Sequence, residues 1–216
     1  MIKIPIVLCL DCSPSMSGLP KYGAPSLTNG APVNHLNRGI NLLINQIRSD
    51  PFLHSMCDIA MIGFSTYAQK LCSFSNVDDL VIPSLKLDMV YGGTSIGKAI
   101  DLSFEIIEKQ LSSYANLGIS ATKPWLIFMT DGHPSDKTHE LVSDKLHSWI
   151  NADRIHCIPV GIGEMADIDF LSAFFLNQPI WSIDSVDLTD FLQKVLNDIR
   201  GKNSSILVYD AGNYLK

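Results

Sequence analysis

The chain has 216 residues, 46% of them hydrophobic and 18% charged, the proportions of a folded globular protein and not of a disordered one. Sixteen Lys and Arg stand against 22 Asp and Glu, a formal net charge of −6 at pH 7; with no run of Lys or Arg, this excludes the basic stripe that a nucleic-acid binder needs. No apolar stretch approaches the ~18 residues of a membrane-spanning helix, so neither nucleic acid nor membrane is an expected partner.

The elements follow one another as apolar runs alternating with amphipathic stretches. Residues 2–10 are largely apolar, with one Lys. Asp11 ends the run at once, where a signal peptide would need a longer apolar core and a small-residue cleavage site; a first strand over residues 3–10 is expected. Val33, Leu36, Ile40, Leu43, Ile44 and Ile47 then fall on one face of a helix. It ends near Ser49-Asp50-Pro51, where proline forbids continuation. Residues 58–64 are too uniformly apolar for a one-sided strand. A short strand near 69–74 follows so closely that an antiparallel hairpin is expected. A long helix runs from about 95 to 113, with Ile96, Ala99, Ile100, Ser103, Ile106, Ile107 and Leu111 inward. Residues 125–129 form the next strand, 139–150 a weaker helix, and 155–160 a strand closed by Gly161-Ile162-Gly163. A short helix near 168–176, a short strand over 179–183 and a last helix over 188–200 complete the pattern. Phe191, Leu192, Val195, Leu196 and Ile199 face inward on that last helix.

This alternation predicts an α/β fold: a doubly wound, mostly parallel central sheet of about six strands, one antiparallel edge strand among them, with helices on both faces. A single domain over 1–216 is expected, with no internal repeat. Its tail, 201–216, holds Ser205-Ile206-Leu207-Val208-Tyr209, an added strand or a partner segment. Five cysteines, an odd count with several inside predicted strands, read as reduced thiols of a cytoplasmic protein. Cys9 and Cys12 form a C-x-x-C, but it straddles a strand end where a redox pair should open a helix. It also lacks the second pair of a zinc site. One small buried residue and one loop residue is the simpler reading.

Three remote segments carry the chemistry. Asp11-Cys12-Ser13-Pro14-Ser15 follows the first strand, Gly92-Gly93-Thr94-Ser95 precedes the long helix, and Thr130-Asp131-Gly132 follows the strand over 125–129. Each sits where a buried strand should end, and in an open parallel α/β sheet the carboxyl ends of the strands form the binding crevice. A tight turn can aim Asp11, Ser13 and Ser15 at one point. Thr94 adds a third hydroxyl and Asp131 a second carboxylate. Such oxygens suit a hard divalent cation: Mg²⁺ wants six of them in near-octahedral order at about 2.1 Å, with Mn²⁺ or Ca²⁺ as alternatives. Largely neutral direct ligands would leave the ion electrophilic, with a position for an outside carboxylate.

Asp11-x-Ser13-x-Ser15 with Thr94 and Asp131 resembles the metal-ion-dependent adhesion site of von Willebrand factor A domains, over roughly residues 3 to 200. The resemblance implies direct ligation by Ser13, Ser15 and Thr94, and by Asp11 and Asp131 directly or through water. It also implies a non-enzymatic module whose Mg²⁺ recognises an Asp or Glu of a protein partner. A narrower resemblance is to TerY-like, tellurium-resistance-associated bacterial A domains. It rests on Pro5-Ile6-Val7-Leu8, Ser15-Met16-Ser17-Gly18, Gln46-Ile47-Arg48-Ser49-Asp50-Pro51, Gly92-Gly93-Thr94-Ser95 and Met129-Thr130-Asp131-Gly132. Those are small cytosolic domains encoded beside a kinase-like protein and a phosphatase, which become the implied partners in a stress-response assembly. Two departures stand out. Cys12 and Pro14 replace the usual Thr and Gly, and Pro14 stiffens the ligand loop. Residues 21–32 look like an insertion, expected over the metal face.

Other features take plainer readings. Ser95 is expected as the N-cap of its helix, and Gly92 and Gly93 as backbone freedom that lets Thr94 approach. Asp136 and Asp184 read as loop acids and His133 as an exposed loop residue. Gly161-Ile162-Gly163 lacks the third glycine and the position of a dinucleotide loop and reads as a turn. Trp125, Trp149 and Trp181 read as packing residues. Two alternatives remain for the function. One is a metal-dependent phosphohydrolase with Asp11 as nucleophile, although Ser13 stands where the haloacid dehalogenase class needs a second acid. The other is a scaffold that binds its partner through the 21–32 insertion.

Overall fold

The computed structural model describes residues 1–17, 32–85, 92–163, 166–183 and 188–204. Strand β1 (Ile2–Asp11) is buried from Ile4 to its end, covered on both faces, which is why it reads as an unbroken apolar run. A 3-10 turn, Pro14–Ser17, follows it. Helices α1 (Pro32–Ser49) and α2 (Pro51–Met56) lead into β2 (Cys57–Phe64) and β3 (Ala68–Asn76). Next come α3 (Ile96–Asn116), the two-residue β4 (Ser120–Ala121), β5 (Trp125–Thr130) and α4 (Thr138–Asn151). The chain continues through β6 (His156–Ile162), α5 (Ile168–Phe174), β7 (Trp181–Ile183) and α6 (Leu188–Ser204).

The strands lie in the order β3-β2-β1-β5-β6-β7, with β4 pairing the start of β1. β3 runs antiparallel to β2, as its short connection requires, and the pairings of β1 with β2, β1 with β5, β5 with β6 and β6 with β7 are parallel. Six strands thus make the main path, and β4 is a seventh too short to leave a periodic signal. The chain leaves β1 toward β2 and returns on β1's other side as β5. That reversal is a topological switch point, and the crevice of an α/β sheet opens at the carboxyl ends of the strands there. Asp11 ends β1 and Thr130 ends β5.

Alternating side chains divide the core in two. Ile4, Ile6, Leu8 and Leu10 of β1 pack with α1 and α6, whereas Val7 and Cys9 pack with α3, α4 and α5. The inward residues expected of α1, α3 and α6 are all buried. Cys9 and Cys12 belong to opposite clusters, with the sheet between them, and no disulfide joins any of the five cysteines. The three tryptophans pack as expected: Trp125 and Trp149 are buried, and Trp181 lies against Phe191.

The proline at 51 does more than end α1. It stands at the first helical position of α2, where a missing N–H loses nothing, and Asp50 caps that helix by accepting from Phe52 N (3.0 Å) and Leu53 N (3.2 Å). Six residues are too few to show a helical period in the sequence. α6 continues past the expected end at Arg200 to Ser204. The expected insertion over 21–32, apart from Pro32 at the start of α1, lies outside the described residues, as do Asp184 and the tail segment 205–209. No helix among the described residues is long and apolar enough to cross a membrane.

Candidate metal centre

The turn after β1 is folded around Asp11. Its Oδ1 accepts from the Ser13 N–H at 2.8 Å, an Asx-type contact that bends the chain back over the strand end. Cys12 N–H donates to the Phe64 carbonyl at 2.7 Å, which holds the turn against the end of β2. In this geometry the Ser13 and Ser15 hydroxyls lie 2.8 Å apart. Ser15 then donates to Asp131 Oδ1 at 2.7 Å, across 116 positions of sequence. Asp11, Ser13, Ser15 and Asp131 therefore form a continuous hydrogen-bonded set at the carboxyl ends of β1 and β5.

Thr94 joins this set through its main chain. Its N–H donates to Ser135 Oγ (2.7 Å), and its carbonyl accepts from Ser135 N–H (2.9 Å). The hairpin tip between β2 and β3 supports the same loop from the other side. Gly93 N–H donates to Thr66 Oγ1 (2.9 Å), and Ser95 N–H donates to the Ser65 carbonyl (2.6 Å). A Cβ on Gly93 would lie 2.7 Å from Thr66 Oγ1, so this approach requires glycine there, and Gly92 has φ +66°, a conformation that also favours glycine. Thr94 is buried at 7% exposure, and among the described residues its hydroxyl makes no hydrogen bond to the other four candidates. Of the five residues singled out in the sequence, four share side-chain hydrogen bonds, and the fifth is tied in by the backbone.

Three further residues hold the arrangement, and none was evident from spacing. Thr130 donates from Oγ1 to Asp11 Oδ2 at 2.5 Å. Ser135 clamps Thr94, and Thr66 clamps Gly93. For Thr130 the reason is visible only in the folded sheet. The β1–β5 register pairs Leu10 with Met129, which makes Asp11 and Thr130 the next lateral pair.

The donor set is all oxygen: two carboxylates and three hydroxyls, the chemistry that a hard cation such as Mg²⁺ prefers. Among the described residues no three His, Cys, Asp or Glu side chains gather as in a zinc or iron site. Asp11 is fully buried, and burial pushes its carboxyl above the usual range, partly opposed by the hydrogen bonds from Ser13 and Thr130. No Lys or Arg among the described residues pairs with it.

Two neighbouring expectations, those for Ser95 and Asp136, change. Ser95 stands at the N-cap position of α3, but its side chain does not cap the helix. It is fully buried, and its hydroxyl instead lies 3.0 Å from Thr138 Oγ1, because α4 comes down directly on the start of α3. A Cβ on Gly97 would fall 2.1 Å from the Thr138 carbonyl carbon. Asp136 is not a free loop acid: its Oδ1 accepts from Thr138 N–H (3.0 Å) and Thr138 Oγ1 (2.6 Å) at the start of α4. Partial burial raises its carboxyl, but the hydrogen bonds from Ser95 and Thr138 outweigh that and leave it below the usual range. His133 is exposed, as expected, and its Nδ1 lies against a carboxylate oxygen of Asp167, the N-cap residue of α5. Gly161 is needed for packing, since a Cβ there would meet Ile168 Cδ1 at 2.6 Å, and Gly163 turns with φ +80°.

No family model and no curated protein matches the sequence. Solved structures do match in fold. A von Willebrand factor type A protein from Catenulispora acidiphila superposes with a TM-score of 0.63 at 17% identity, over 92% of this chain and 43% of that one. The SpRpn10 VWA domain gives 0.58 at 10% identity, over 90% and 95%. Proximal thread matrix protein 1 from the mussel byssus gives 0.57 at 14% identity, over 92% and 48%. The chain thus spans less than half the length of two of these three structures. At these identities the likeness shows the fold: the chain has the von Willebrand factor A fold, a mostly parallel sheet with one antiparallel pair and helices on both faces.

Proposed function

We propose that this chain is a non-enzymatic, metal-dependent protein-binding module. In this reading Ser13, Ser15 and Thr94 ligate Mg²⁺, Asp11 and Asp131 bind it directly or through water, and an Asp or Glu of a partner completes the shell. One observation carries the reading. Oxygens from two turns far apart in sequence already touch through the Ser15–Asp131 hydrogen bond at 2.7 Å, and the third turn is clamped beside them by Ser135.

The charge balance supports it. A buried carboxylate is stable only with a counter-charge or full hydrogen bonding, and the described chain brings no basic side chain to Asp11. A divalent cation would supply that charge while the all-oxygen donor set selects a hard ion. The hydrolytic alternative is less well supported, because Asp11 is fully buried, with neither of its carboxylate oxygens exposed. A nucleophile needs one of them at a substrate. The sequence strings shared with TerY-like proteins favour a kinase-like protein or a phosphatase of a cytoplasmic stress-response assembly as the partner.

Affinity capture on the immobilised chain in the presence of Mg²⁺ tests the proposal. The captured protein should be lost with chelator, and it should be lost from Thr94→Ala and Asp11→Ala variants that keep the wild-type circular dichroism spectrum. Capture that persists unchanged in excess chelator would overturn it, and so would Mg²⁺-dependent phosphatase turnover abolished by Asp11→Asn.

A further inference from the structure

Resting on the metal reading above, we propose that Thr130 is a positioning residue of the site. Its hydroxyl sets the orientation of the Asp11 carboxylate, and the segment 130–135 is the element on which all three ligand turns are registered. Thr130 is fully buried, and it stands beside Asp11 one step beyond the last β1–β5 pair, Leu10 with Met129. Side chains alternate along both strands, so the two residues point to the same face of the sheet. There Thr130 Oγ1 donates to Asp11 Oδ2 at 2.5 Å. The same oxygen accepts from the Gly132 N–H at 3.3 Å. A hydroxyl has one proton and two lone pairs; with a donor on one lone pair, its own proton is directed at the carboxylate.

This bond matters because the last torsion of an aspartate is otherwise broad. Ser13 N–H holds Oδ1 at 2.8 Å, and Thr130 holds Oδ2. Held at both oxygens, the carboxylate cannot turn, and its remaining lone pairs keep one direction. Removing the hydroxyl frees that rotation and leaves a buried oxygen with one donor fewer. The next residue in the segment, Asp131, accepts from the Ser15 hydroxyl, and Ser135 holds the main chain of Thr94 twice, accepting from its N–H with Oγ and donating its own N–H to its carbonyl. Six consecutive residues thus reach a ligand on each of the other two turns, in addition to carrying one themselves. Partners that orient the ligands of a metal site typically change metal affinity 10–100-fold when removed.

The test measures Mn²⁺ and Mg²⁺ affinity of the full chain, by electron paramagnetic resonance of unbound Mn²⁺ and by calorimetry, together with the metal-free Tm. Thr130→Val keeps the branched shape and removes the donor; it should raise the Mn²⁺ Kd about tenfold or more. Thr130→Ser keeps the hydroxyl and should stay within about threefold of wild type. A folded Thr130→Val that binds Mn²⁺ like the wild type would overturn the proposal, and so would a Tm loss with no change in Kd. Should Thr130→Val fail to fold, Ser135→Ala at an exposed position decides. Weakening of about threefold or more upholds the segment as organiser, and wild-type affinity overturns it. Absence of Mn²⁺ binding by the wild type would be a different result, overturning the metal reading and this inference with it.

Discussion

Two aspartates are buried at opposite ends of the sheet, and the chain treats them differently. Asp58, near the start of β2, accepts from Lys3 Nζ at 2.9 Å and from the Tyr114 hydroxyl at 2.5 Å. Burial and this bond to a carboxylate push the Tyr114 hydroxyl far up, and burial beside Asp58 raises the Cys57 thiol to about 12. The charge of Asp58 is met inside the chain by an ammonium, and the cluster is complete. Asp11, at the other end of β1, meets only neutral donors among the described residues: the N–H and hydroxyl of Ser13, the Thr130 hydroxyl and the Asp131 N–H. Both carboxylates are buried in the same sheet; one closes a structural ion pair, and the other has no basic side chain paired with it among the described residues. Under the proposed function that difference separates an interaction that holds the fold from one reserved for a cation.

The two ends should therefore respond oppositely to loss of their carboxylates. Asp58→Leu strands a largely buried Lys3 and should cost about 3 kcal/mol of stability, as broken buried pairs do, with Mn²⁺ affinity unchanged; urea denaturation and Mn²⁺ titration measure both. Asp11→Asn should do the reverse. Removing an unpaired buried charge should leave the metal-free protein as stable as the wild type or about 1 kcal/mol more stable, while Mn²⁺ binding is lost. Equal destabilisation by both substitutions would erase the distinction.

The basal end also contains a group that titrates. Burial, with Lys123 and Lys202 nearby and Asp153 opposing them, lowers His156 from 6.5 to about 4, and its ring lies 4.4 Å from that of Trp125. Below pH 6.5 the unfolded chain takes up a proton that the folded chain refuses, so stability falls as the pH drops from about 6.5 toward 4. His156→Gln should flatten that part of the Tm–pH curve and leave neutral-pH metal binding alone. An unchanged slope would show that other groups control it. The smallest effect belongs to the exposed surface. Glu105 and Lys109 pair one helical turn apart on α3 with both side chains mostly in water, and Lys109→Ala should give no resolvable change in Tm, as is usual for screened surface pairs.

Much of this architecture was legible in the chain. The strands at 4–10, 57–64 and 125–130 are covered on both faces, so their sequences carry almost no polar residue and cannot be mistaken for one-sided strands. α1, α3 and α6 each bury one stripe, and a helical period records that directly. Asp11, Ser13, Ser15 and Asp131 could be singled out because hydrophilic residues directly after a buried strand lie at its carboxyl end, whereas Thr94 follows no strand among the described residues and stood out by its place before α3. Less was legible where local pattern and tertiary contact part. Ser95 has the residue type and position of a cap, yet α4 packs onto it and redirects its hydroxyl to Thr138. Asp136 reads as a loop acid until Ser95 and Thr138 enclose it.

Residue type and period thus fix which positions are strand, which face of a helix is wet, and where a strand meets solvent, because each is a property of neighbouring residues. They leave open which strand lies beside which. That Thr130 stands next to Asp11, 119 positions away, that Lys3 finds Asp58, and that Ser135 grips Thr94 all follow from the β3-β2-β1-β5-β6-β7 order and from the descent of α4 onto α3. Such lateral partners are chosen by long-range pairing in the folded sheet, and no periodicity along a single chain encodes them.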